Sequence, residues 1–137
     1  MSEANKLLLQ RWFEQVWNQQ SEAAIDEMFS PEGKSHGFPE PDSVLVGPEA
    51  FKAIQRNFCG AFPDLHIDVE QIVAEGDHVA VRWKVNKTHT GDHLGFPGTG
   101  KKGTLAGSTF VVVKGKKIME GWNHMDLQAL MQRLQAS

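Results

Sequence analysis

The hydrophobic period of this chain changes once, near His66, and that change limits the fold more than any other feature. Before it, apolar residues recur at three- and four-residue spacing. Leu8, Leu9, Trp12, Phe13, Val16 and Trp17 share one helical face between Glu3 and Asn18. Ser21 is placed to cap a second, shorter helix through Met28 and Phe29, and Pro31 and Gly33 break it. A short strand fits Ser35 to Phe38, ahead of a proline-rich stretch from Phe38 to Val46. Gly47 and Pro48 open a third helix, with Phe51, Ile54 and Phe58 as its buried stripe and Gly60 at its end. From His66 onward the period is two. Ile67, Val69, Gln71 and Val73 fall on one side, a turn runs through Glu75, Gly76 and Asp77, and Val79, Val81, Trp83 and Val85 return. After a glycine-rich loop from Thr90 to Lys102, two more strands, Thr104 to Val113 and Lys117 to Asn123, join at Gly115. Asp126 then caps a last helix whose apolar face is Leu127, Leu130, Met131 and Leu134. Helices first and a strand meander after predict an α+β fold, with three to four helices over a curved antiparallel sheet. Large residues such as Trp83 and Trp122 alternate with polar ones such as Arg82 and His124, so a sheet curled into a cone would enclose one pocket.

Length and charge narrow the function. A chain of 137 residues predicts a single domain over 1–137, large enough to fold without disulfides or a structural metal. The net charge of −3, with both signs scattered, gives no footprint for phosphates or an anionic membrane, so neither nucleic acid nor membrane is an expected partner. One cysteine makes no internal bridge, and the N-terminus has neither a basic lead nor an apolar run, which predicts a cytoplasmic protein. No segment approaches the roughly 20 apolar residues of a membrane span.

Several motifs carry less than they promise. Gly95 to Lys101 has most of the spacing of a phosphate-binding loop, but Lys102 stands where serine or threonine would hold Mg²⁺, and a strand follows where a helix is required. His89 and His93 are four apart, but with Gly91 between them in a strand end and loop that spacing fixes no ligand geometry. No metal is expected, and His66, His78 and His93 read as surface residues. Cys59 beside Phe58 reads as a small core residue, with no base or cation pattern to activate it. Trp12 and Trp17 read as core, whereas Trp83 and Trp122 are placed to line a cavity. The densest group of useful side chains is Glu120, Trp122, Asn123, His124 and Asp126. A carboxylate there, beside an aromatic ring in an apolar pocket, would suit proton abstraction from carbon, with His124 or Asn123 donating to the enolate oxygen. The same residues have a plain structural use, Asp126 as a helix cap and Glu120 as a solvated carboxylate.

Phe62, Pro63, Asp64 and Leu65 ahead of the first long strand, Gly76 and Asp77 at its turn, and Val79 to Arg82 form an ordered series. Thr88, His89, Gly91, Gly95, Pro97, Thr99, Gly100 and Lys101 continue it, and Ile118, Glu120, Trp122, Asp126 and Leu134 end it. In this order and spacing, from about Ser35 to Leu134, the chain resembles the SnoaL-like polyketide cyclases (ester cyclases) of the NTF2-like superfamily. The resemblance implies a cystatin-like α+β cone, a homodimer formed through the sheet, and a mostly apolar pocket for a small hydrophobic molecule. It also implies cofactor-free ring closure by aldol condensation with an aspartate as acid/base. The family's aspartate falls on Asp126, which supplies a base, or on Asn123, whose amide cannot take a proton. The chain departs from the family at Val111 to Val113, where an arginine is frequent, and at Gln135 in place of glycine.

The leading expectation is an enzyme in which Asp126 takes the proton and His124, Asn123 or His89 steadies the oxyanion. Arg82 and His36 would orient polar ends of the ligand, with Trp83 and Trp122 against its apolar body. The alternatives are a non-catalytic ligand-binding or dimerisation module, and a relative of hydroxylase or hydrolase type.

Overall fold

The computed structural model describes residues 2–37, 42–91, 98–125 and 127–135. Among these, four α-helices and six strands are found, in an α+β arrangement whose sheet order is β2-β1-β6-β5-β4-β3. Helix α1 (Ser2–Trp12) runs into a π-helical segment, Phe13–Asn18. The wider π turn is held from outside: Gln55 Nε2, buried, donates to the carbonyls of Val16 (2.7 Å) and Ser21 (3.2 Å). Asn18 ends the segment by exchanging two hydrogen bonds with the backbone of Ile67. Helix α2 (Glu22–Met28) has the expected cap, the Ser21 hydroxyl accepting from Ala24 N at 3.2 Å. Helix α3 (Pro48–Ala61) starts with proline inside its first turn, as its sequence requires.

Strand β1 (Phe29–His36) follows α2 directly and is longer than the few residues its sequence suggested. It runs parallel to β6 (Lys117–Met125), so the sheet is mixed and not wholly antiparallel. A short strand β2 (Val44–Val46), hidden in the proline-rich stretch, pairs with β1 at the edge. The meander is β3 (His66–Glu75), β4 (His78–Thr88), β5 (Lys102–Lys114) and β6. Helix α4 (Leu127–Gln135) packs Leu130 and Leu134 onto β5 at Gly103.

One irregularity changes which residues face the core. Val69 pairs with Trp83 but Gln71 pairs with Arg82, so the register slips at Glu70. A bulge of one residue reverses every side chain beyond it. The inward set on β3 is therefore Ile67, Val69, Ile72 and Ala74, and Val73, read on the same side as Ile67 and Val69, is 52 % exposed. On β4 the alternation is unbroken, with Val79, Val81, Trp83, Val85 and Lys87 all buried. The core between sheet and helices is aromatic: Trp12 lies against Phe51 (5.2 Å between centroids) and Phe29 (5.9 Å), and Trp17 against Phe51 (5.8 Å). No described helix is long and apolar enough to cross a membrane.

Candidate functional site

The inward side chains of β1, β4, β5 and β6 face the helices without filling the space between. The cavity left there has about 60 Å³ open to the centres of water-sized molecules. Trp12, Trp17, Phe51 and Phe58 form its helical wall, and Phe29, Trp83, Val85, Leu105, Val111 and Ile118 its sheet wall. Its polar lining consists of Ser35, Thr109, Asn123 and Lys87. Three of these join Trp83 in one hydrogen-bonded chain across the sheet. The Trp83 indole N–H donates to the Thr109 hydroxyl (3.0 Å), which donates to Asn123 Oδ1 (3.1 Å). Asn123 Nδ2 donates in turn to the Ser35 hydroxyl (3.2 Å) and the His36 carbonyl (3.1 Å). The chain requires a tight fit at Gly107, opposite Trp83. A Cβ there would lie 2.7 Å from the indole ring, so a side chain would push the ring off Thr109. Among the described residues, the Ser35 hydroxyl proton has no acceptor, which leaves it for a group in the cavity.

Parity along the strands places the expected site residues. Trp83 and Asn123 lie on the cavity wall. Asn123 is fully engaged there, so it holds its neighbours in place and is not a free oxyanion donor. His36, Trp122, Glu120, His124 and Arg82 do not reach the cavity. Ser35 pairs with Gly121 and His36 with Trp122, so the residues next to Ser35 and Asn123 point to the opposite face. There the His36 ring stacks on Trp122 (5.3 Å, 6°) and its Nε2 meets Glu120 Oε2 at 2.5 Å. His124, exposed, meets Phe110 edge-on, and Arg82 extends toward Glu70 and Gln71. Crowding in the sequence near Trp122 therefore divides into two faces in space.

His89 is fully buried but stands behind Phe62, outside the cavity lining. Its Nδ1 accepts from Thr99 N–H (3.3 Å), and its backbone bonds to Lys101 and Gly100. Burial lowers its pKa, opposed by a weaker hydrogen bond with the Gly91 backbone, so the ring is neutral and fastens the end of the glycine-rich loop. Lys101 leads from that loop into β5, not into a helix, which removes the setting a phosphate loop needs. Cys59 is half-buried, and burial pushes its thiol up to about 11, so it is no thiolate nucleophile at neutral pH. Asp126 and His93 lie outside the described residues.

Sequence reasoning missed Ser35, Thr109 and Lys87. The signal was present for the last: continuing the period of Val79, Val81, Trp83 and Val85 by one step lands on Lys87. Among the described residues, no carboxylate lines the cavity.

The family model of the SnoaL-like polyketide cyclases matches residues 7–134. No curated protein matches the sequence. Among solved structures, a protein named as a SnoaL-like polyketide cyclase from Jannaschia sp. CCS1 superposes with a TM-score of 0.90 at 24 % identity, covering 100 % of this chain and 95 % of that one. At that identity the likeness is one of fold. A protein named as a polyketide cyclase from Acidithiobacillus ferrooxidans is 28 % identical, with a TM-score of 0.79 and 96 % and 94 % of the two chains covered. AclR from Streptomyces galilaeus, named as a hydroxylase, is 26 % identical, with a TM-score of 0.84 over 98 % of this chain and 82 % of its own.

Proposed function

Because the chain belongs to the SnoaL-like polyketide cyclase family, we propose that it is a cofactor-independent cyclase-like enzyme acting on a small hydrophobic carbonyl compound by aldol-type acid/base chemistry. The observation that carries this reading is the cavity itself, an aromatic chamber with one hydroxyl among the described residues, that of Ser35, left with a proton to give. The donors behind that hydroxyl polarise it, which strengthens a hydrogen bond to a carbonyl oxygen as it gains enolate charge. The apolar walls exclude water from a carbanion that would otherwise be quenched. Side chains suffice for each proton transfer, and Asp126, three residues after Asn123, is assigned the base. The reading includes a homodimer formed through the outer face of the sheet, where Phe110 is 50 % exposed.

A panel of small aromatic β-keto esters, followed by product mass, tests the assignment. Loss of turnover with binding retained in Asp126→Asn supports it, and full turnover in that variant removes Asp126 from the mechanism. Two other readings have an observation each. The cavity lining described holds no carboxylate, which favours a binding module, and that reading requires ligands to leave unchanged in every variant. The likeness to AclR favours oxygenation, which adds oxygen to the product mass where cyclisation with dehydration loses water.

A further inference from the structure

Two lysines are buried in this protein, in opposite circumstances. Lys52 on α3 is 8 % exposed, and its ammonium bonds to Asp26 (2.8 Å) and Glu49 (2.9 Å), which raise its pKa. Lys87 on β4 is 3 % exposed, and among the described residues it has no ion-pair partner. Its Nζ sits over the faces of Phe62 (4.5 Å to the centroid) and Phe58 (5.0 Å), beside Val85 and Leu105 in the cavity wall. Burial pushes its pKa down to about 7, although the phenyl faces pull the other way. A buried amine costs stability unless it is paired, and Lys52 shows the paired solution in the same molecule. An amine on the wall of an apolar chamber, with no ion-pair partner among the described residues, is placed for chemistry that needs a neutral nitrogen.

We propose that Lys87 is a nucleophile that forms an imine with an aldehyde or ketone bound in the cavity. The Nζ lone pair attacks the carbonyl carbon, and the carbonyl electron pair moves to oxygen, which takes a proton. The carbinolamine then expels that oxygen as water, and the nitrogen gives up its protons to leave C=N. Amine and carbonyl become imine and water, with no change of oxidation state. Protonated, the imine draws electrons from the adjacent carbon, whose proton is then lost to give an enamine, the carbon nucleophile an aldol closure uses. Hydrolysis returns the amine. This inference rests on the reading of a carbonyl compound in the cavity, but not on Asp126 as the base.

The test treats the full chain with benzaldehyde and sodium cyanoborohydride, which reduces an imine to a stable secondary amine, and maps the adducts by peptide mass. Binding is followed in parallel by quenching of tryptophan fluorescence, since Trp12, Trp17 and Trp83 line the cavity. At pH 7 the expected result is benzylation of Lys87 at least ~10-fold faster than of Lys84, which lies on the same strand but faces outward. The Lys87 rate should level off near neutrality. Lys87→Met should lose this adduct alone, and Lys87→Arg, which keeps the bulk and charge, should lose it too. Saturable quenching with Lys87 labelled no faster than Lys84 overturns the imine and leaves the cavity reading standing. Neither quenching nor Lys87 labelling overturns both.

Discussion

The two faces of the central sheet are built from the same strands and treat polar residues in opposite ways. On the outer face, charged and aromatic groups meet in partial contact with solvent, as His36 does with Glu120 and Trp122. On the inner face the polar groups are buried or half-buried, and each is bonded to another, as in the chain from Trp83 to Ser35, or, as at Lys87, has no counter-charge among the described residues. Asn123 and His124 are adjacent in sequence yet belong to different sides. In strands, chemistry is sorted by parity, and a cluster in sequence is two half-clusters in space.

Replacing one tryptophan on each face gives the widest contrast. Trp83→Ala removes a buried ring and the donor to Thr109 and should cost about 3–5 kcal/mol in urea unfolding. Trp122→Ala loses a half-exposed stacking contact and should cost about 1 kcal/mol. That figure is for a single chain; a loss equal to that of Trp83→Ala would mean that the proposed homodimer buries Trp122, which pairs with Phe110, and sedimentation would then show the dimer.

Next in size is the response to pH. The unfolded chain keeps the Lys87 proton up to about pH 10.4, whereas the folded chain gives it up near 7. Between those values the unfolded state binds more protons, so this residue makes the fold gain stability as pH rises and contributes no slope below about 6. From pH 7 to 9 the gain should be about 2–3 kcal/mol in unfolding curves. Lys87→Met should lack it and be the more stable protein at pH 6. A wild type and variant with parallel profiles would show that the amine keeps its charge when buried.

The smallest effects belong to the outer charges. Arg82→Ala and His36→Ala should each change stability by less than about 1 kcal/mol and leave tryptophan quenching by cavity ligands unaltered. A loss of ligand binding in either would bring the outer face into the site.

The helices and the meander were legible because their periods are long and regular, and caps such as Ser21 mark the ends. The parallel pairing of β1 with β6 was not, since Phe29–His36 holds Pro31 and Gly33 and its partner lies more than eighty residues away. The bulge at Glu70 was equally hidden: alternation continues through it, and only pairing with β4 shows that the faces exchange. For the cavity lining, the sequence pointed to β6, at Asn123, but not to the parity that sends Trp122 and His124 to the other face. Lys87 was passed over because a lysine is ordinarily a solvated residue, although the period of β4 already carried it inward.

The chain of bonds between Trp83 and Ser35 has a sense of travel. An indole nitrogen can only give a proton, and the His36 carbonyl can only receive one, so both termini are of fixed character. Every hydroxyl and the amide between them are thereby oriented, with no freedom to reverse. The chamber thus has a giver of protons at Ser35, and under the proposed function it would favour guests that bring an oxygen able to accept.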